Sequence, residues 1–328
     1  MCRTTVPEQP TGLTMASRRE QLRQARAASK TGRNYYEREL RTWEKRIVAE
    51  WAPGSVQMPQ DADTELSIIL NRGYSLVANR LLPRDWRAYK QVDDEDPIDE
   101  AMRAIAGMLA VAFVGQLADS VSSITNTVLK YFGFASAAGE AARADGQDFN
   151  TAARTDLARR LRRHRIIIAV TESNWTVNVT RDTAVLSVVD PLQNSVERIA
   201  ALIESGDING AKRLSREVVK LARLPTSVSE GELLRYIDDA RDRLTTPLTQ
   251  GRIVATMRQR AADLDSQEKE WAAIFHNTRP SHAAADGQRK PIGEPYQLPG
   301  GLLMYPMDRS FGADGSEIYG CQCESVYL

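Results

Sequence analysis

Between residues 17 and 265 apolar side chains recur at every third or fourth position, and after residue 271 that recurrence stops. A period of three to four puts apolar groups on one face of a helix. Most of the chain must therefore form amphipathic helices that cover one another's faces. Past residue 271 glycine and proline rise sharply and interrupt any helix, which predicts short strands and turns. Long helices followed by such a segment give an α+β class, predominantly helical with a small irregular β-rich C-terminal module. At 328 residues the chain can bury a substantial core and divide into two domains.

Residues 1–16, with Pro7, Pro10 and Gly12, read as a flexible N-terminal tail. Ser17 and Glu20 form a capping box, each side chain satisfying a free backbone N–H of the other. The helix they start carries Tyr36, Leu40, Trp43 and Ile47 on one face and stops at Pro53-Gly54. A second helical region spans 62–91, with Leu66, Ile69, Leu70 and Val77, and breaks near Pro83. A third spans 98–132, with Ile105, Leu109, Phe113, Ile124, Val128 and Phe132, and Gly133 with the small residues 135–146 is expected to form a loop. An Arg-rich helix from Thr151 to Arg165 runs into a segment, 166–189, whose Ile, Val and Thr content by itself predicts a strand. Pro191 is expected to end it. Short helices follow over 192–265, one lined by Ile208, Ala211, Leu214, Val218 and Leu221, another opened by a Ser229/Glu232 capping box, and a last lined by Ile253, Met257 and Ala261. In the tail, Leu302–Tyr305 and Glu317–Tyr319 are the expected strand pieces.

Lys+Arg and Asp+Glu are each 43, so global charge argues for neither nucleic acid nor membrane. Local charge is uneven. Residues 1–51 carry eleven Lys/Arg against six Asp/Glu, and residues 143–165 carry seven Arg against three Asp. Arg18, Arg19, Arg23, Arg26, Arg159, Arg160, Arg162 and Arg163 are candidates for contact with DNA phosphates or an acidic protein surface, against the plainer reading of solvated helix faces. Three cysteines make no even disulfide framework, which points to a reducing compartment. The N-terminus lacks the apolar core of a secretory signal. The apolar run Ala104–Ala118 is short for a membrane span, and Gln116, Asp119, Ser120 and Asn126 mark an ordinary buried helix, so a membrane is not an expected partner.

Scarce reactive side chains gather in the tail, which holds two of the three cysteines and two of the three histidines. It reads Trp271, Arg279-x-x-His282, Asp286-Gly287, Pro291, Tyr296, Tyr305-Pro306-Met307-Asp308 and Cys321-Gln322-Cys323. This order resembles the C-terminal domain of the phage Mu F-like minor head proteins, also called phage head morphogenesis proteins. That family ends in a Trp, Arg-x-x-His, a Gly, a Phe or Tyr, a Tyr-Pro-Gly-Asp-like turn and Asn-Cys-Arg-Cys. Its upstream Ala-Arg-Thr-Glu helix is similar to Ile168-Ala169-Val170-Thr171-Glu172 here. The resemblance covers residues 160–188 and 267–323, about a quarter of the chain. The departures are Met307 for the family's Gly, Gly320 and Gln322 for its Asn and Arg, and Phe275-His276-Asn277 in place of acidic residues ahead of the Arg-x-x-His step.

The resemblance implies a helix over 166–189. It also implies a helical domain at 17–150, a core module made of 151–189 and 266–328, and a helical insertion at 190–265. Thr171, Glu172, Arg279, His282 and Asp308 become a structural polar motif, in which Glu172 could meet Arg279 as a bidentate pair. The implied function is that of a minor capsid and head morphogenesis protein, associated with the portal and the capsid interior and assisting head assembly and DNA packaging or release. Its partners would be the portal protein, the major capsid protein and packaged double-stranded DNA, with self-association through the insertion. It would reside in the virion, and in the host cytoplasm during assembly. An enzyme is not expected: the sequence has no Walker phosphate loop, no Gly-x-Gly-x-x-Gly after a strand and no His-Glu-x-x-His. Only five residues follow Cys323, which leaves no space for the toxin or transferase domain that some members carry.

No cofactor is required by this reading. Cys321 and Cys323 with His276 or His282 could nonetheless bind zinc, with Asp286 or Asp308 completing four ligands. The alternative is that both cysteines are small buried packing groups. The rival functions are a genome-delivered metal- or cysteine-dependent enzyme and an ejected membrane-active protein.

Overall fold

The computed structural model describes residues 18–82, 97–222, 247–265, 267–274 and 278–328. The N-terminal tail, both expected capping boxes (through Ser17 and Ser229/Glu232), the break near Pro83 and His276 lie outside the described residues. The fold is α+β, helical throughout most of its length with small antiparallel sheets near the C-terminus. The helices are α1 (Arg18–Glu50), α2 (Ala62–Leu81), α3 (Pro97–Ala144), α4 (Phe149–Glu204), α5 (Ile208–Ala222) and α6 (Pro247–Asp265). The tail adds β1 (Glu268–Ala272), one-turn α7 (Pro280–Ala284), β2 (Arg289–Pro291), β3 (Tyr296–Leu298), β4 (Gly301–Leu303), one-turn α8 (Gly315–Ile318) and β5 (Glu324–Tyr327).

Everything is arranged around α4, which packs on α1, α2, α3, α5, α6 and β5. Its 56 residues reach about 80 Å at 1.5 Å per residue. Asp148 caps its start by accepting from the Thr151 N–H at 2.6 Å. Segment 166–189 is helical despite its β-branched composition, and its hydroxyls are accommodated by bonding back to the carbonyl one turn earlier. Ser173 donates to Ala169, Thr176 to Glu172 and Ser187 to Thr183. The uninterrupted burial of residues 171–185 by neighbouring elements supplies the stabilisation.

Three boundaries differ from the sequence expectation. Helix α4 runs through Pro191 to Glu204. The ring removes one backbone hydrogen bond, but Val188, Leu192, Val196 and Ile199 on both sides of it are buried, and ending the helix would expose them. Helix α3 continues past Gly133 to Ala144, since the alanines of 135–144 have the highest helix propensity. At the bend into α4, Gly139 lets the Phe149 ring approach: a Cβ there would lie 2.7 Å from it. By length and composition α3 could cross a membrane, being much longer than the Ala104–Ala118 run. It nonetheless gives Phe113, Ile124, Val128 and Phe132 to the common core. Third, residues 315–318 form a helical turn where a strand was expected, and the strand near the chain end is β5.

β1 is the central strand of an antiparallel sheet ordered β2-β1-β5, with Trp271 opposite Ser325 and Glu270 opposite Arg289. β3 and β4 make a hairpin with Tyr296 opposite Leu303. Trp271 is fully buried and meets the rings of Tyr296 and His282 edge-on, with centroids 5.2 and 5.4 Å away. The aromatic core of the module thus fixes the imidazole.

Two glycines set how closely the first helices approach. A Cβ on Gly73 of α2 would lie 2.2 Å from the Tyr36 ring, and one on Gly32 of α1 would lie 2.6 Å from Val77 and 2.7 Å from Ser173. Gly73→Ala and Gly32→Ala should each cost about 1–3 kcal/mol through overpacking. Gly107→Ala on α3, with nothing within 4 Å, should be neutral or stabilise by about 0.5–1 kcal/mol. Denaturant titration of the three variants checks this order.

Candidate functional site

Residues 171–185 of α4 are buried without interruption, although ten of the first thirteen are polar or charged. Buried polar groups require partners, and neighbours on different sides of the helix supply most of them, with Asn178 Oδ1, Thr180 Oγ1 and Arg181 Nη1 left without one among the described residues. Glu172 turns toward α2 and α3. It accepts from Tyr74 Oη at 2.7 Å, Ser120 Oγ at 2.9 Å and Gln116 Nε2 at 3.1 Å. Thr171, Asn174 and Asn178 face the tail. Thr171 Oγ1 accepts from the Gly320 N–H at 3.0 Å. Asn174 Nδ2 donates to the Cys321 carbonyl at 2.8 Å, and Asn178 Nδ2 to the Cys323 carbonyl at 3.2 Å. Asn174 Oδ1 accepts from Ser29 Oγ and, at 3.1 Å, from Arg33 Nη2, so α1 closes the same seam.

The strap 320–323 enters through Gly320, whose φ of 71° lies in the left-handed region. Its two thiols then face His282. Nδ1 of the imidazole lies 3.3 Å from Cys321 Sγ and 3.5 Å from Cys323 Sγ. On the far side of the ring Nε2 lies 2.8 Å from Glu317 Oε2, a close polar contact without the alignment of a linear hydrogen bond. Glu317 is in turn held by Ser281 Oγ at 2.9 Å. All three donor residues are buried, their donor atoms lie within 4.8 Å of one another, and the cysteines are free thiols. This is a His/Cys/Cys cluster able to hold a metal ion, beside a cleft of about 110 Å³ lined also by Arg279 and Tyr319. The Cys321 thiol donates to Cys323 sulfur, and His282 adds to the effect, so Cys323 is lowered well below the ordinary thiol range. Cys321 is correspondingly raised.

A second buried network pins β5. The backbone of Tyr327 exchanges two hydrogen bonds with Gln21 of α1, at 2.7 and 3.0 Å, and its hydroxyl donates to Asp182 of α4 at 3.2 Å. Lys269 Nζ lies 3.8 Å from Asp182 and donates to the Met304 carbonyl at 2.6 Å. Burial raises Asp182 to about 7, against the pull of Lys269. It also raises Glu324 to about 7, against Arg181, Arg26 and Arg33. Lys269 is lowered by the same loss of water.

The expected Glu172–Arg279 pair does not form. Arg279 donates instead to the Tyr319 carbonyl. The reason is helical phase: consecutive residues are rotated by about 100°, so Thr171 faces the tail while Glu172 faces α2 and α3. Asp308 closes its own turn, accepting from Met304 N and Ser310 N at 2.8 and 2.9 Å. Asp286 accepts from Ala273 N at 2.8 Å. Neither carboxylate reaches the His/Cys/Cys cluster, and Glu317, which sequence reasoning missed, stands beside its imidazole. Asn174 and Asn178 were missed too, although their i, i+4 spacing on one face with Thr171 was a readable signal.

Several candidate arginines are engaged within the fold. Arg18 lies within 3.8 Å of Glu270 and Asp286, Arg23 bonds Glu20, and Arg159 and Arg160 both bond Asp156. Arg19, Arg26, Arg162 and Arg163 are exposed, and the paired Arg18, Arg23 and Arg159 are exposed as well, over 50%, 75% and 61% of their side chains. Comparison with models of known protein families, with curated proteins and with solved structures found no match to this chain.

Glu172→Ala would strand the buried hydroxyls of Tyr74 and Ser120, while Gln116 keeps Ser120 Oγ as an acceptor, and should cost about 2–5 kcal/mol, whereas Arg279→Ala, removing one exposed hydrogen bond, should cost under about 1 kcal/mol. Thermal unfolding of the two variants tests that order. For Asp182 and Glu324 the folded pKa is raised above the unfolded value near 4, so the folded state holds the extra protons between about pH 4 and 7. Their contribution to stability is full below that window and lost as pH rises through it. Asp182→Asn and Glu324→Gln should each flatten the decline in melting temperature between pH 5 and 8 relative to the parent chain.

Proposed function

We propose that this chain is a phage minor head protein, acting in head assembly at the portal and the capsid interior and assisting DNA packaging or release. The observation that carries the reading is the seam between two distant stretches of sequence. The Thr-Glu segment of α4 and the Cys-x-Cys strap, about 150 residues apart, are joined through Thr171, Asn174 and Asn178. These are the same two stretches that resemble the head morphogenesis family. Two departures from its pattern keep the left-handed backbone that the family's residues allow, at a cost of about 1–2 kcal/mol for the methionine and at none for the glycine. Met307, at the family's glycine position, has a φ of 74°, the left-handed conformation that glycine adopts without strain. Gly320, at the family's asparagine position, has a φ of 71°, and asparagine is among the residues that tolerate that region.

In this reading the helices provide docking faces for the portal protein and major capsid protein, and the tail module is a rigid end. Zinc is the ion that the two thiolates and one imidazole of the His/Cys/Cys cluster favour. The exposed arginines Arg19, Arg26, Arg162 and Arg163 contact DNA or an acidic portal surface, so that binding weakens as salt rises.

The test is mass spectrometry of purified particles of the phage that encodes the chain. The polypeptide should be present at a low, reproducible ratio to portal subunits, and pull-down of the portal should fall between 50 and about 300 mM salt. Particles that assemble and infect without the polypeptide would refute the assignment.

A further inference from the structure

Cys321 and Cys323 each have two roles in this structure. Their sulfurs face His282, and their carbonyls are held by α4. Zn–S bonds of about 2.3 Å and a Zn–N bond of about 2.0 Å at the tetrahedral angle place sulfur and nitrogen about 3.5 Å apart. The two observed separations are 3.3 and 3.5 Å. The single residue between the cysteines suits the path of the strap. In extended chain, residues i and i+2 project to the same side and lie about 6.6 Å apart along the strand. Helical residues i and i+4 share a face and lie about 6 Å apart along the axis. Asn174 and Asn178 are therefore spaced to hold both cysteine carbonyls, and the strap laid along the helix turns both sulfurs toward one imidazole. The ring has its own supports: the edge-on Trp271 and the Glu317 carboxylate beside Nε2, the arrangement by which outer groups orient a ligating histidine.

We propose that Asn174 and Asn178 are positioning residues of a zinc site formed by His282, Cys321 and Cys323, and that zinc binding and docking of the tail on α4 are one coupled equilibrium. The proposal rests on the zinc assignment made above and adds the coupling. Strap contacts and ligands belong to the same two residues, so each bond from α4 pre-pays part of the ordering that the metal requires. By reciprocity, the metal must tighten the strap by the same factor with which the strap tightens the metal. Zinc would then act as a lock on β5, which continues directly from Cys323 and contributes Tyr327 to the buried network with Gln21 and Asp182.

The experiment uses the full chain, purified under reducing conditions, with zinc affinity measured by chelator competition and backbone amide exchange followed over residues 320–327. Wild type should bind one zinc per chain, and Cys323→Ser should lose it. Asn178→Ala, which removes no ligand and leaves the bonds of Asn174 to Ser29 and Arg33 in place, should weaken zinc about tenfold or more, the usual effect of losing an outer-sphere support. Zinc removal from wild type should speed exchange in 320–327 while leaving α1 and α2 unchanged, and this arm needs no variant to fold. Stoichiometric zinc with unchanged affinity in Asn178→Ala and unchanged tail exchange on chelation would overturn the coupling while leaving the zinc site standing. A folded wild type that takes up no zinc, and whose Cys323 is alkylated by iodoacetamide, would overturn both and leave a reactive thiol beside His282.

Discussion

A helix whose middle is polar and has no face toward water imposes the central constraint on this molecule. Residues 171–185 of α4 are enclosed on all sides, and an unpartnered polar group in such a place costs on the order of 1–3 kcal/mol. The surrounding elements are placed where they answer that demand. α2 and α3 bring Tyr74, Gln116 and Ser120 to Glu172, α1 brings Ser29 and Arg33 to Asn174, and the tail brings backbone groups of 320–323 to Thr171, Asn174 and Asn178. An apolar helix would pack against any apolar neighbour. This one accepts only neighbours with the right donors and acceptors at the right heights, which specifies a single arrangement.

The tail module depends on that helix. Its strands are three to five residues long, too short for a stable sheet on their own. They gain stability from three attachments: the Trp271–Tyr296–His282 aromatic cluster, the asparagine seam, and the clamp on Tyr327 by Gln21 and Asp182. The second of these passes through the two cysteines. The described cleft beside the cysteines is small, about 110 Å³.

Much of the helical frame was legible because its signals are local. The faces of α1 and α2, the stop at Pro53-Gly54 and the amphipathic face of α5 follow from spacing alone. The failures are equally specific. Pro191 and Gly133 are local stop signals, and both were overridden by packing or by an alanine-rich continuation. Glu317–Tyr319 has strand propensity but forms a turn of helix capped by Asp314, because Glu317 is drawn to His282 and Ser281. The pairing of Glu172 with Arg279 failed since charge complementarity says nothing about the rotation of a helix about its axis. Within the cluster, the ligand types were readable from composition, but the carboxylate beside the imidazole was not.

The sequence by itself determined the class of fold, the boundary at which helices give way to strands, and the residues able to do chemistry in the tail. Those properties depend on neighbours within a turn or two of chain. Only the tertiary structure decided which polar group answers which, because partners such as Asn178 and Cys323, or Gln21 and Tyr327, lie 145 and 306 residues apart. Their meeting is set by how α1, α4 and the tail pack in three dimensions. No spacing rule along the chain encodes that, and it is what turns a Cys-x-Cys and a distant histidine into one cluster.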